Sequence, residues 1–125
     1  MKVKEAMNEV VAVDNDVSLK EAAKIMGSKD IGCLVLVRQK NILGIVTMKD
    51  IIKNITGLEK KISSVMPKEV VVVEKDNDLD QAILLMKKNK VKHLPVVQNE
   101  ELVGIITATD LIRNCDDLDD DFFFD

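Results

Sequence analysis

The sequence contains no Trp and no Tyr, and its three Phe residues, Phe122–Phe124, all lie in the last four positions. No aromatic side chain is therefore available to fill a core, or to stack on a flat ligand, within residues 1–113. Cysteine is scarce too: Cys33 and Cys115 match neither a disulfide framework nor a zinc-ligand spacing. Pairing Cys33 with the only histidine, His93, would supply two ligands where a tetrahedral site needs four, so no metal is expected. Cys33 lies in an apolar run and reads as a buried thiol, while Cys115 reads as exposed. No apolar run approaches the ~18 residues that span a bilayer, and Met1–Asn8 lacks signal-peptide character. A soluble, cytoplasmic protein without membrane partners is the expectation. Also missing are a Gly-x-x-x-x-Gly-Lys-[Ser/Thr] loop and any Ser or Cys with a plausible His and acid. The chain does not read as an enzyme.

What is abundant is aliphatic. The 125 residues include 17 Val, 12 Ile, 12 Leu and 6 Met, and the β-branched share favours strands. At 46% hydrophobic and 32% charged, the composition is that of a folded domain. The net charge of −4 is concentrated at one end, because residues 114–125 hold six Asp and no Lys or Arg. Residues 1–113 are left at +2, too weakly basic for a nucleic-acid surface. The end reads as an acidic, disordered tail, whose Phe122–Phe124 cluster could dock into an apolar groove of a partner or a second subunit.

The chain repeats itself at an offset of 60: residues 9–52 align with 69–112 without a gap, and 15 of the 44 pairs are identical. Val10/Val70, Asp16/Asp76, Met26/Met86, Gly44/Gly104, Thr47/Thr107 and Asp50/Asp110 are among them. Two copies are too few for a solenoid and suggest a pseudo-twofold pair. Residues 1–60 and 61–113 form the two domains, with 114–125 as the tail. In each copy a short strand (Val10–Val13, Val70–Val73) precedes a helix opened by a capping box, Ser18 to Glu21 and Asp78 to Gln81. Leu19, Ala22, Ala23 and Met26, like Leu79, Ala82, Ile83 and Met86, make one apolar stripe. Two apolar runs joined by a four-residue polar turn then read as a hairpin buried on both faces: Leu34–Val37 with Ile42–Val46, and Leu94–Val97 with Leu102–Ile106. A closing helix follows from Thr47 and from Thr107. The fold class is α+β, two β-α-β-β-α repeats.

Thr47-x-x-Asp50 and Thr107-x-x-Asp110 sit where closing helices begin, and two roles are open. A [Ser/Thr]-x-x-[Asp/Glu] box is a helix cap in most proteins. Yet both copies use Asp rather than Glu or Gln, and a glycine that could admit a close neighbour lies three residues earlier. A carboxylate there can accept two bonds from the vicinal hydroxyls of a ribose, and amides at a helix start suit a phosphate.

These features resemble a tandem pair of cystathionine-β-synthase (CBS) domains, a Bateman module, over residues 1–113. The resemblance rests on Val3-Lys4-Glu5-Ala6-Met7 and Ser64-Val65-Met66-Pro67 before the first strands, on His93-Leu94-Pro95-Val96-Val97, and on Gly44-Ile45-Val46-Thr47-Met48-Lys49-Asp50 with Gly104-Ile105-Ile106-Thr107-Ala108-Thr109-Asp110. It implies that Asp50 and Asp110 hold a ribose, with Thr47 and Thr107 beside them and Lys49 and Thr109 adjacent. It implies an adenine slot of Val11, Ile31 and Ile45 in the first copy and of Val71, Val91 and Ile105 in the second, with Lys92 and His93 toward phosphate. Gly32-Cys33 replace Lys92-His93 in the first copy, so the sites should be unequal. The implied function is a stand-alone regulatory module with no catalytic cofactor. It would bind AMP, ADP, ATP, S-adenosylmethionine or methylthioadenosine between its halves and signal by conformational shift to an unknown protein. The implied assembly is a homodimer through the closing helices (Ile51, Ile52, Ile55; Leu111, Ile112). The competing reading is a ligand-free CBS pair that regulates or scaffolds a partner.

Overall fold

The computed structural model describes residues 1–67 and 69–114. The acidic tail, Cys115 and the Phe122–Phe124 cluster lie outside the described residues. The elements are α1 (Val3–Ala6), β1 (Ala12–Val13), α2 (Leu19–Lys29), β2 (Cys33–Arg38), β3 (Asn41–Thr47) and α3 (Met48–Lys53). A 3-10 turn (Ile62–Ser64) follows, then β4 (Val73–Glu74), α4 (Leu79–Asn89), β5 (His93–Gln98), β6 (Glu101–Thr107) and α5 (Ala108–Asn114). This is an α+β chain in which the β-α-β-β-α order occurs twice.

The two copies are built alike. β1 runs parallel to β2, and β2 antiparallel to β3; β4 runs parallel to β5, and β5 antiparallel to β6. The first strands are shorter than the apolar runs suggest, because Val11 and Val71 precede the paired residues of β1 and β4. Each hairpin turns on two residues rather than four. Gln39 and Lys40 (φ 51° and 71°), like Asn99 and Glu100 (φ 52° and 68°), take the left-handed conformation of a tight turn that matches strand twist. No glycine occupies any of these positions.

The helices obey their sequence signals in part. Ser18 Oγ accepts from Glu21 N at 3.1 Å, as a cap requires. Asp78 makes no such bond; its carboxylate lies 3.5 Å from the Lys2 ammonium instead. Both helices end on a left-handed residue, Asp30 and Lys90, each with φ 55°.

Packing divides the chain into two compact units, one of Val11–Val70 and one of Met1–Val10 with the chain from Val71 onward. The segment leading into each repeat therefore packs with the other repeat. Residues 1–8 carry Val3, fully buried in a core with Val73, Leu79, Ala82, Met86, Leu94, Val96, Ile106 and Leu111. The segment at 62–66 carries Ile62, fully buried with Leu19, Ala22, Met26, Leu34, Leu36 and Val46. The two leaders bind their hosts alike: Val3 N donates to Asn77 O at 2.8 Å, and Ile62 N to Val17 O at 2.9 Å. The repeated Asp16 and Asp76 grip these leaders. Asp16 accepts from Ser63 N at 3.0 Å, and Asp76 stands 3.0 Å from the Lys4 ammonium. Hydrogen bonds from the Ser63 side chain and backbone lower the Asp16 pKa.

Candidate ligand-binding site

The hairpin delivers the Thr-x-x-Asp motif. β3 and β6 run straight into α3 and α5, so Thr47 and Thr107 are at once the last strand residue and the residue before the helix. In the first repeat Asp50 Oδ2 accepts from Thr47 N at 2.9 Å and from Thr47 Oγ1 at 3.2 Å. In the second, Asp110 Oδ2 accepts from Thr107 N at 2.8 Å and from Thr107 Oγ1 at 3.0 Å. One oxygen of each carboxylate is thus held by the Thr, and the other is directed elsewhere. The capping function is real in both copies.

The surroundings differ between the copies. Asp110 is 5% exposed, whereas Asp50 is half-buried. Asp110 Oδ1 accepts from Asn8 Nδ2 at 2.7 Å. Asn8 follows Met7 in the first leader; the residue that follows Met66 in the second is Pro67, which has no side-chain donor. Asn8 could have been found only by aligning the leaders with each other, at an offset one residue shorter than that of the repeats, and by knowing that each packs on the opposite copy.

The glycines of the motif serve that packing. A Cβ on Gly104 would lie 2.7 Å from Met7 Sδ and 3.0 Å from Asn8 O; one on Gly44 would lie 2.5 Å from Met66 Cε. The close neighbour is a leader in each case.

The other residues singled out by sequence distribute unevenly. His93 and Thr107 are paired across β5 and β6, as are Cys33 and Thr47 across β2 and β3. Lys92 is half-buried beside them, and its carbonyl accepts from Ala108 N at 2.9 Å; Gly32 O accepts from Met48 N at 3.1 Å. The first amide of each closing helix is therefore engaged by the protein, which narrows what its start can offer a phosphate. Burial lowers the His93 pKa and raises the Cys33 thiol to about 11. Lys49 and Thr109 are exposed. Val11 and Ile31 pack against the first core, Val71 and Val91 against the second. Ile45 is half-buried and Ile105 buried; Ile105 exchanges backbone bonds with Asn8 at 2.8 and 3.0 Å.

A separate apolar groove of about 290 Å³ lies between α2 and α3, lined by Ala23, Met26, Gly27, Asp30, Ile31, Met48, Ile51 and Ile52. It includes neither Thr47 nor Asp50. Among the described residues no group of three His, Cys, Asp or Glu could hold a metal, and no helix is long and apolar enough to cross a membrane.

The family model of the CBS domain matches this chain twice, over residues 3–57 and 62–117. The chain belongs to the CBS domain family. Among curated relatives, an uncharacterized protein MJ1232 of Methanocaldococcus jannaschii is 33% identical over 86% of this chain and 36% of its own length. The inosine-5′-monophosphate dehydrogenase of the same organism is 35% identical over 86% of this chain and 22% of its length. The chain thus spans about a third or less of these two proteins. The CBS domain pair of protein MJ0100, solved in complex with 5′-methylthioadenosine and S-adenosyl-L-methionine, superimposes with a TM-score of 0.82 at 31% identity, covering 90% of this chain and 98% of that one.

Proposed function

We propose that this CBS pair is a regulatory module whose Thr-x-x-Asp sites bind the ribose of adenosine-type ligands. The observation that carries the reading is the fixed carboxylate. Thr47 and Thr107 each hold one oxygen of their Asp and so pre-orient the other toward ribose hydroxyls, although at Asp110 that other oxygen also accepts from Asn8. Lys49 and Thr109 flank the carboxylates; Lys92 and His93 provide the polar side of the second site. Val11, Ile31 and Ile45, and Val71, Val91 and Ile105, supply the aliphatic flanks of the base, since no aromatic residue is available within residues 1–113. Ligand complexes of the MJ0100 pair support this chemistry. Signalling would follow from differential affinity for two conformations, and the occurrence of a similar segment within a dehydrogenase supports an enzyme as the kind of protein regulated.

Exposed Met48, Ile52, Ile55 and Ile112 support a homodimer through α3 and α5. Leu111 is no part of such a surface, because it is fully buried in the second core.

A second reading keeps the boxes as caps alone, in a ligand-free module that scaffolds a partner; the closed Thr–Asp bonds favour it. Thermal shift and calorimetry with AMP, ADP, ATP, S-adenosylmethionine and methylthioadenosine separate the two. The sensor reading expects saturable stabilisation by at least one ligand, reaching about 2.7 kcal/mol at a hundred times its Kd, and weakened by Asp50→Ala. No response to the whole panel would leave the cap reading standing.

A further inference from the structure

We propose that Asn8 is a built-in occupant of the Asp110 site. Adenosine-type ligands then enter at Asp50 first, and reach Asp110 only when Asn8 lets go. This rests on the ribose reading above and adds an order and a gate to it.

Four observations converge. Both oxygens of Asp110 are already engaged by the protein, Oδ2 by Thr107 and Oδ1 by the Asn8 carboxamide at 2.7 Å. A ribose hydroxyl that bonds to Oδ1 competes there with that amide, which already holds one of the oxygen's two lone pairs. Asn8 is fixed in place rather than swinging freely, since its backbone bridges Ile105 in both directions, at 2.8 and 3.0 Å. Gly104 permits this approach, because a Cβ there would lie 3.0 Å from Asn8 O. Finally, the first repeat lacks the device. Pro67, which follows Met66 as Asn8 follows Met7, has neither a side-chain donor nor an N–H to repeat the bridge, and Asp50 is correspondingly more exposed. Asn8 itself is exposed at the surface, so its carboxamide can leave without opening the core.

The test measures binding of AMP, S-adenosylmethionine and methylthioadenosine by calorimetry to the full chain, with thermal unfolding as a check on folding. In wild type the tighter site should vanish in Asp50→Asn. Against that background Asn8→Ala should strengthen the remaining site about tenfold, as expected when one hydrogen bond to a charged group no longer competes, and adding Asp110→Asn should abolish it. The reciprocal Pro67→Asn, which places a carboxamide at the position equivalent to Asn8 in the second leader, should weaken the tighter site. An unchanged or weaker second site in Asn8→Ala, or a tighter site lost with Asp110→Asn rather than Asp50→Asn, overturns the gate and leaves the ribose reading intact. Absence of binding in wild type and Asn8→Ala alike overturns the ribose reading, and the gate with it.

Discussion

His93 is the only histidine of the sequence, and its half-buried place at the start of β5 disfavours its charged form. Its folded pKa lies below the ordinary 6.5, so between those two values the unfolded chain binds a proton that the folded chain refuses. Stability from this source is complete above pH 6.5 and falls as pH drops below it. We predict a melting temperature that declines as pH falls below 6.5, a decline that His93→Gln flattens; an identical slope in the variant would show that other groups cause it. Cys33 stands at the equivalent position of the first repeat and behaves oppositely in kind. Its thiol, pushed up to about 11, stays protonated and closed to modification in the native state. The apolar run around Cys33 made its burial legible in sequence. That His93 is half-buried beside Thr107 was not, because burial there depends on β5 pairing with β6.

At the scale of elements, the hairpins and stripe helices follow from local pattern, since period and apolar run length survive any tertiary context. The turns do not follow so directly. Gln39, Lys40, Asn99 and Glu100 adopt positive φ although none is glycine, because strand register leaves only two residues to reverse the chain. The motif glycines behave according to what they touch. Gly104→Ala would push against the Asn8 carbonyl, part of a pinned backbone, and should cost about 1–3 kcal/mol. Gly44→Ala meets the flexible end of Met66 and should cost clearly less. Chemical denaturation of both variants checks the ordering; equal losses would mean that the leaders yield with equal ease. Strand glycines before the motif suggested close approach by something, and only the packed leaders identified it as Met7 and Met66.

Across the whole molecule, the consequence of the exchanged leaders is that a residue's core is not predicted by its repeat in the sequence. Ile62→Ala should cost about 2–5 kcal/mol, as for a large-to-small change at a sealed site, and should loosen the first repeat, where Ile62 packs on Leu19 and Met26. Val3→Ala should loosen the second, where Val3 packs on Leu79 and Met86. Amide hydrogen exchange decides this: protection should fall in β2 and α2 for the first variant and in β5 and α4 for the second. The reverse assignment would refute the exchange.

By itself the sequence determined the repeated order of elements, an all-aliphatic interior and the Thr-x-x-Asp motifs. Each of these depends on composition or on residues within about a turn or a strand of one another. Tertiary structure alone decided which leader covers which core, which carboxylate is buried, and that Asn8 meets Asp110 across 102 positions of chain. Such contacts depend on where two distant segments cross, and neither periodicity nor a capping signature carries that information.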